Sequence, residues 1–140
     1  MSVFVVDASV AAKWYAQEPN AEDALRLLAG AHVLHAPDFL LMEMDNVLCT
    51  WVRSGSFTRA AASETRAALR TAPVQLHPFQ RLLDSSWGIA ADHGVSLYDA
   101  LYVALAIHLD AQLVTADRKL LRSLSGTPFA RHVTWVEDVE

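Results

Sequence analysis

The chain is short of cysteine, of basic residues and of long apolar runs, and each shortage excludes a class of protein. Its single cysteine, Cys49, leaves no partner for an intrachain disulfide. A reducing, cytoplasmic setting follows, and Cys49, lying in an apolar helical stretch, is expected to pack in the core. The apolar run Ala100 to Ile107 falls far short of the ~20 residues a membrane span requires. Val3–Val6 near the N-terminus is apolar, but no basic region precedes it and Asp7 ends it, so no targeting segment is expected. The reading is of a soluble protein, with no membrane partner. Lys and Arg number 11 against 16 Asp and Glu, a net charge of −5. That balance disfavours wrapping nucleic acid with a broad basic face. It leaves open a local grip on a few phosphates through bound cations.

Repeats, low-complexity tracts and long linkers are also missing, so residues 1–140 read as one domain. What is present suits a packed core: 53% of residues are hydrophobic and 19% charged. Short strand-like runs alternate with helical patterns, which points to an α/β protein, a three-layer α/β/α sandwich around a mainly parallel sheet. Val3–Val6 reads as a buried strand, followed by a helix over Ala8–Tyr15. Asn20 is placed to cap a helix to about Leu28, stopped by Gly30. His32–His35 is a second strand, and Pro37 is placed to open the next helix. That helix carries Leu40, Leu41, Met44, Val47, Leu48 and Trp51 and ends at Ser54-Gly55. Thr58 caps a helix through Arg70, and Val74–Leu76 is a third strand. A helix from Phe79 to about His93 ends at Gly94. Ser96 opens an apolar helix to Leu109. Gln112–Thr115, Asp117–Leu124 and Val133–Val136 read as strand, helix and strand.

Two acids stand where strands end: Asp7 after the first, and Asp117 two residues beyond Thr115. In an open parallel sheet, ligands bind outside the carboxyl ends of the strands, so these two converge if their strands are neighbours. Two more acids interrupt apolar helical surfaces, Glu43 within Phe39–Met44 and Asp99 within Leu97–Val103. A carboxylate there is costly unless it is paired, hydrogen-bonded or bound to a cation. Each acid also has a plain structural explanation. Asp7 and Asp117 can cap the helices that follow them, Asp99 stands three residues after Ser96 as in a capping box, and Glu43 can be a solvated helix residue. Periodicity alone leaves the choice open.

Three stretches resemble the PIN-domain ribonucleases, and within them the VapC-type toxins of bacterial toxin–antitoxin pairs. Val5-Val6-Asp7-Ala8-Ser9 is similar to the family's opening strand and first acid. Pro37 through Glu43, with Asn46 and Leu48, resembles its second acidic motif. Ser96 through Ala106, then Leu113-Val114-Thr115-Ala116-Asp117-Arg118-Lys119-Leu120-Leu121, is the most specific part. The likeness runs through nearly the whole chain in the right order. Asp110, where the family often has glycine, is a small departure that a left-handed Asp accommodates.

The resemblance implies a metal-dependent endoribonuclease with Asp7, Glu43, Asp99 and Asp117 as catalytic and metal-binding residues. Four crowded carboxylates repel, and a hard divalent cation relieves that repulsion. Magnesium takes oxygen ligands, and manganese suits the same set. Zinc is disfavoured: none of the expected helices carries two of the six histidines at ligand spacing, and Cys49 stands alone. Asp7 and Asp117 are expected as direct ligands, with Asp99 and Glu43 completing the shell or orienting water. Ser9 and Thr115 are candidates to hold these carboxylates from behind, or else to cap local backbone. Arg118, Lys119 and Arg122 are candidates to steer a phosphate, or else an ordinary solvated face. The VapC likeness implies an RNA substrate, a protein antitoxin and a homodimer. Trp14, Tyr15 and Trp51 are available either to such interfaces or to the core.

Other readings remain: a PIN nuclease of RNA processing without an antitoxin, or a non-catalytic binding module with the same fold. A phospho-accepting receiver is excluded, because Asp7 has no acidic neighbour and Val74–Pro78 offers no acceptor.

Overall fold

The computed structural model describes residues 2–140. Five strands form one sheet in the order β3-β2-β1-β4-β5. They are β1 (Val3–Val6), β2 (Val33–Pro37), β3 (Val74–His77), β4 (Gln112–Thr115) and β5 (Val133–Trp135), and every neighbouring pair is parallel. Seven helices connect them: α1 (Ala8–Lys13), α2 (Ala21–Ala29), α3 (Phe39–Arg53), α4 (Arg59–Thr71), α5 (Leu83–His93), α6 (Leu97–His108) and α7 (Arg118–Leu124).

The central strands are apolar on both faces because helices cover both. Phe4 and Val6 of β1 and Val114 of β4 point to one face, where they meet Val10 of α1, Leu27 of α2, Leu40 and Met44 of α3 and Leu69 of α4. Val5 and Leu113 point to the other, into α6, Ile89 of α5 and Leu120 and Leu124 of α7. The three-layer sandwich expected from the alternation is therefore the observed one. The chain winds outward from β1 through β2 to β3, then crosses back over the other face through α5 and α6 to β4. The winding direction thus reverses between β1 and β4. In open parallel sheets ligands bind outside the carboxyl ends of the strands at such a switch point.

Local signals fixed several boundaries. Thr58 caps α4 by accepting from Ala61 N at 3.0 Å, Ser96 caps α6, and Gly94 ends α5 with φ 68°. Asp110 holds the left-handed turn after α6 with φ 50°. Other expectations need correction. Pro37 ends β2 rather than opening a helix; Asp38 makes the turn, donating its N–H to His77 O and accepting from Phe79 N. Phe79–Leu82 is a 3-10 turn ahead of α5, and Val136 leaves β5 for another such turn. Helix α1 stops at Lys13. Asn20 sits left-handed before α2 and bonds Asp23 and Glu137 with its side chain instead of capping. Cys49 is exposed, because the buried face of α3 runs through Leu40, Met44 and Leu48 and turns residue 49 outward. Trp14 is core, its indole N–H donating to Ala24 O at 2.9 Å, while Tyr15 and Trp51 pack half-buried against the same cluster.

Candidate active site

β1 and β4 run side by side in register, Val6 opposite Val114, so Asp7 and Thr115 meet just where the two strands end. Asp7 is only 4% exposed. Its Oδ1 accepts from Ser9 Oγ at 2.5 Å and from Val10 N at 3.2 Å, and its Oδ2 accepts from Thr115 Oγ1 at 2.6 Å. The two hydroxyls also reach the segment beyond β4. Ser9 Oγ accepts from Ala116 N at 2.9 Å, and Thr115 Oγ1 from Asp117 N at 3.1 Å. Asp7 is thereby locked between two strand ends that are more than a hundred residues apart in sequence. Asp117 Oδ1 in turn caps α7, accepting from Lys119 N at 2.9 Å and Leu120 N at 3.3 Å. The capping expected as one reading of Asp7 is thus present through Oδ1, while Oδ2 is held by Thr115.

The other two acids arrive from helices on opposite faces of the sheet, Glu43 on α3 and Asp99 in the first turn of α6. Ser96 Oγ accepts from Asp99 N at 3.1 Å, fixing that turn. Between the helices stands Tyr102, 1% exposed, whose hydroxyl donates to Glu43 Oε1. This residue was missed in the sequence. Its signal was a phenol one turn beyond Asp99 within the apolar run Ala100 to Ile107, since a buried tyrosine hydroxyl needs a partner.

The four acids share one electrostatic field. Burial pushes the Asp7 carboxyl up to about 6, against hydrogen bonds from Ser9, Thr115 and Val10, with a further push from Asp99. Burial likewise raises Glu43, opposed by the Tyr102 hydroxyl and helped by the Asp99 charge. Asp99 is raised by burial and by Asp117, and held back by Ser96 and Lys119. The Tyr102 phenol is raised by burial first, then by Glu43, Asp7 and Asp99. Among the described residues the ion pairs of the protein lie elsewhere, at Glu18, Asp23 and Asp45. Among the described residues no side-chain cation forms an ion pair with this cluster, and Lys119 acts on Asp99 only at longer range.

That donor set fits a hard divalent cation: all oxygen, clustered, and with its most buried member unpaired by any lysine or arginine. The fit is one of chemistry and neighbourhood. Among the described residues no three His, Cys, Asp or Glu side chains stand closely enough together to enclose an ion as they are oriented. Asp7, Asp117 and Glu43 each direct an oxygen at a donor of the chain instead. The basic residues after Asp117 divide. Lys119 acts on Asp99, the Arg118 guanidinium lies 4.3 Å from the Trp135 ring centroid, and Arg122 is exposed in the last turn of α7. The histidines stay away from the acids; His35 and His77 pair with each other, Nδ1 to Nε2, at 2.8 Å.

The family model described as PIN domain matches residues 4–124. Ribonuclease VapC3 of Pyrobaculum aerophilum is 36% identical over 118 residues, covering 83% of this chain and 90% of that protein. Ribonuclease VapC1 of Mycobacterium tuberculosis is 35% identical over 124 residues, covering 86% and 90%. Among solved structures, PAE2754 from Pyrobaculum aerophilum superposes with a TM-score of 0.69 at 27% identity, covering 97% of this chain and 85% of that one. Mycobacterium tuberculosis VapC20, described as a sarcin-ricin loop cleaving toxin, shares the fold with a TM-score of 0.64 at 20% identity over 93% and 94% of the two chains. Four acids around the β1/β4 switch point, a family model spanning most of the chain, and relatives matched over nearly their full length agree, and the chain belongs to the PIN-domain family, alongside its VapC ribonucleases.

Proposed function

We propose that this protein is a magnesium-dependent endoribonuclease, the toxin of a VapBC-type pair. The observation that carries the reading is a group of four acids from four parts of the chain around the ends of β1 and β4, with Asp7 buried and the other three half-buried, and with no ion pair to any of them among the described residues. A fold does not keep such a repulsive group for stability, since each carboxylate lowers the stability of the others. Asp7 and Asp117 would hold the ion, with Asp99 and Glu43 completing its surroundings. A cation held there would supply the means to activate water and to neutralise phosphoryl charge. The chain's own residues do the positioning: Ser9 and Thr115 fix Asp7, Tyr102 orients Glu43, and the Asp117 cap anchors the β4 end. Lys119, placed to moderate Asp99, is the basic residue best situated to meet a phosphate, while Arg118 is engaged on Trp135.

The VapC relatives support the further reading of a protein antitoxin that covers these acids, while a homodimer is part of the proposal on the sequence resemblance alone. Related folds have been solved as a VapBC2 complex from Rickettsia felis bound to a DNA fragment from their promoter, and as a toxin–antitoxin complex from Klebsiella pneumoniae. The ribonuclease and antitoxin readings are tested by expressing the chain with and without a small reading frame that adjoins its gene. Growth arrest by the chain alone, relief by the neighbour, and RNA cut only with Mg2+ or Mn2+ are the expected results. RNA left intact at every metal concentration by a folded protein would remove the ribonuclease reading.

A further inference from the structure

Beside Glu43 and Asp99 lies a flat aromatic surface to which the acid chemistry gives no task. Phe39 begins α3 one turn before Glu43, and Tyr98 immediately precedes Asp99 on α6. Their rings stack with centroids 5.2 Å apart and planes within 7° of parallel. Phe79 braces Phe39 edge-on, centroids 6.2 Å apart. Phe39 is half-buried, yet Tyr98 is 57% exposed. Met42, next to Glu43 and 63% exposed, continues this apolar rim. The stack thus has a fixed inner ring and an outer ring whose surface is mostly open to solvent.

We propose that Tyr98, held flat by Phe39, is the platform on which an unpaired base of the RNA substrate stacks next to the bond that is cut. The inference rests on the ribonuclease reading and names what that site grips. Stacking on an aromatic ring needs no positive charge and works for every base, because each has a π-face. A chain of net charge −5 whose rim here is Phe39, Met42 and Tyr98 has little electrostatic hold on a phosphate backbone at this point. A grip on the base supplies what the charge does not. It also places the nucleotide by its rigid part, one residue from Asp99 and one helical turn from Glu43. A duplex, whose bases are already stacked on one another, gains nothing from such a surface, so the preferred substrate is single-stranded or looped.

The test compares Tyr98→Ala, Tyr98→Leu, Tyr98→Phe and Tyr98→Trp in the full chain. Cleavage of a fluorescein-labelled single-stranded RNA is followed in Mg2+, and binding of the same RNA is measured by anisotropy in Ca2+, which takes the same oxygen donors. The Ala and Leu variants should raise KM and Kd about 5- to 150-fold, with kcat nearly unchanged because the contact is uniform through the reaction. The Phe and Trp variants should stay close to the parent. The parent should also bind a hairpin loop better than a blunt duplex. An Ala variant with parental KM and Kd overturns the platform. So does a Leu variant with parental values, which would mean that apolar bulk rather than a flat ring matters, as for a docked protein segment. If the parent binds RNA through Tyr98 but cuts none, the ribonuclease reading falls and the platform stands. If it neither cuts nor binds, both fall.

Discussion

Asp7 is the most buried carboxylate of the candidate site. Its carboxyl stands near 6 in the folded chain against an ordinary 3.8, because burial outweighs three hydrogen bonds. Between those two values folded Asp7 keeps a proton that the unfolded chain has released. Stability of the metal-free protein therefore falls as pH climbs through that window, by up to ~3 kcal/mol. Asp7→Asn removes the buried charge but keeps a side chain able to accept from Ser9 and Val10. It should flatten the urea-unfolding stability between pH 4 and 6, raise it at pH 7, and abolish Mg2+-dependent RNA cleavage. Lower stability at pH 7 would show that Asp7 serves the fold and not the chemistry. Tyr102 acts through a neighbour. Its hydroxyl holds the Glu43 carboxyl down against burial. Tyr102→Phe should move the acid limb of the pH–rate profile upward and reduce kcat at neutral pH about tenfold, the scale of ~1.4 kcal/mol for a hydrogen bond to a charged group. A uniform loss of rate with an unmoved profile would assign Tyr102 to packing alone.

Among the elements, α7 shows how one side chain serves two ends. Asp117 terminates the approach from β4 and caps α7 with Oδ1. An asparagine keeps an acceptor for those two N–H groups, whereas an alanine does not. Asp117→Asn should thus retain the parental melting temperature and lose cleavage, while Asp117→Ala should lose cleavage and ~1 kcal/mol of stability as well. Equal melting temperatures for the two variants would deny the cap its role. The same reasoning explains why boundaries at Ser96, Thr58 and Gly94 were legible in the sequence: a cap is a local hydrogen bond or a local φ. Pro37 was not legible, because strand end and helix start both accept a proline. The tie between Asp38 and the Phe79 N–H, 41 residues away, is what places the turn after it.

At the scale of the whole molecule, the cluster draws on four regions that meet only because β1 and β4 are neighbours and α3 and α6 lie on opposite layers. Such a cluster couples cation binding to folding. Millimolar Mg2+ should raise the melting temperature at pH 7, less so near pH 5 where protons compete, and not at all in Asp7→Asn. A rise that persists in Asp7→Asn would place the cation elsewhere on this acidic chain.

The sequence by itself determined the secondary structure of the centre and the identity of the acids. Runs such as Val3–Val6 and Gln112–Thr115 carry their own period, and an acid set into an apolar stretch is visible without any partner. The PIN likeness was legible for the same reason, residing in short contiguous motifs. Only the tertiary structure decided that Ser9 and Thr115 both hold Asp7, that Tyr102 reaches Glu43, that Cys49 faces solvent and that Tyr98 lies flat on Phe39. Those relations join residues up to 108 positions apart or depend on which face of a helix a neighbour covers, and no local pattern encodes a distance that exists only after the layers have closed.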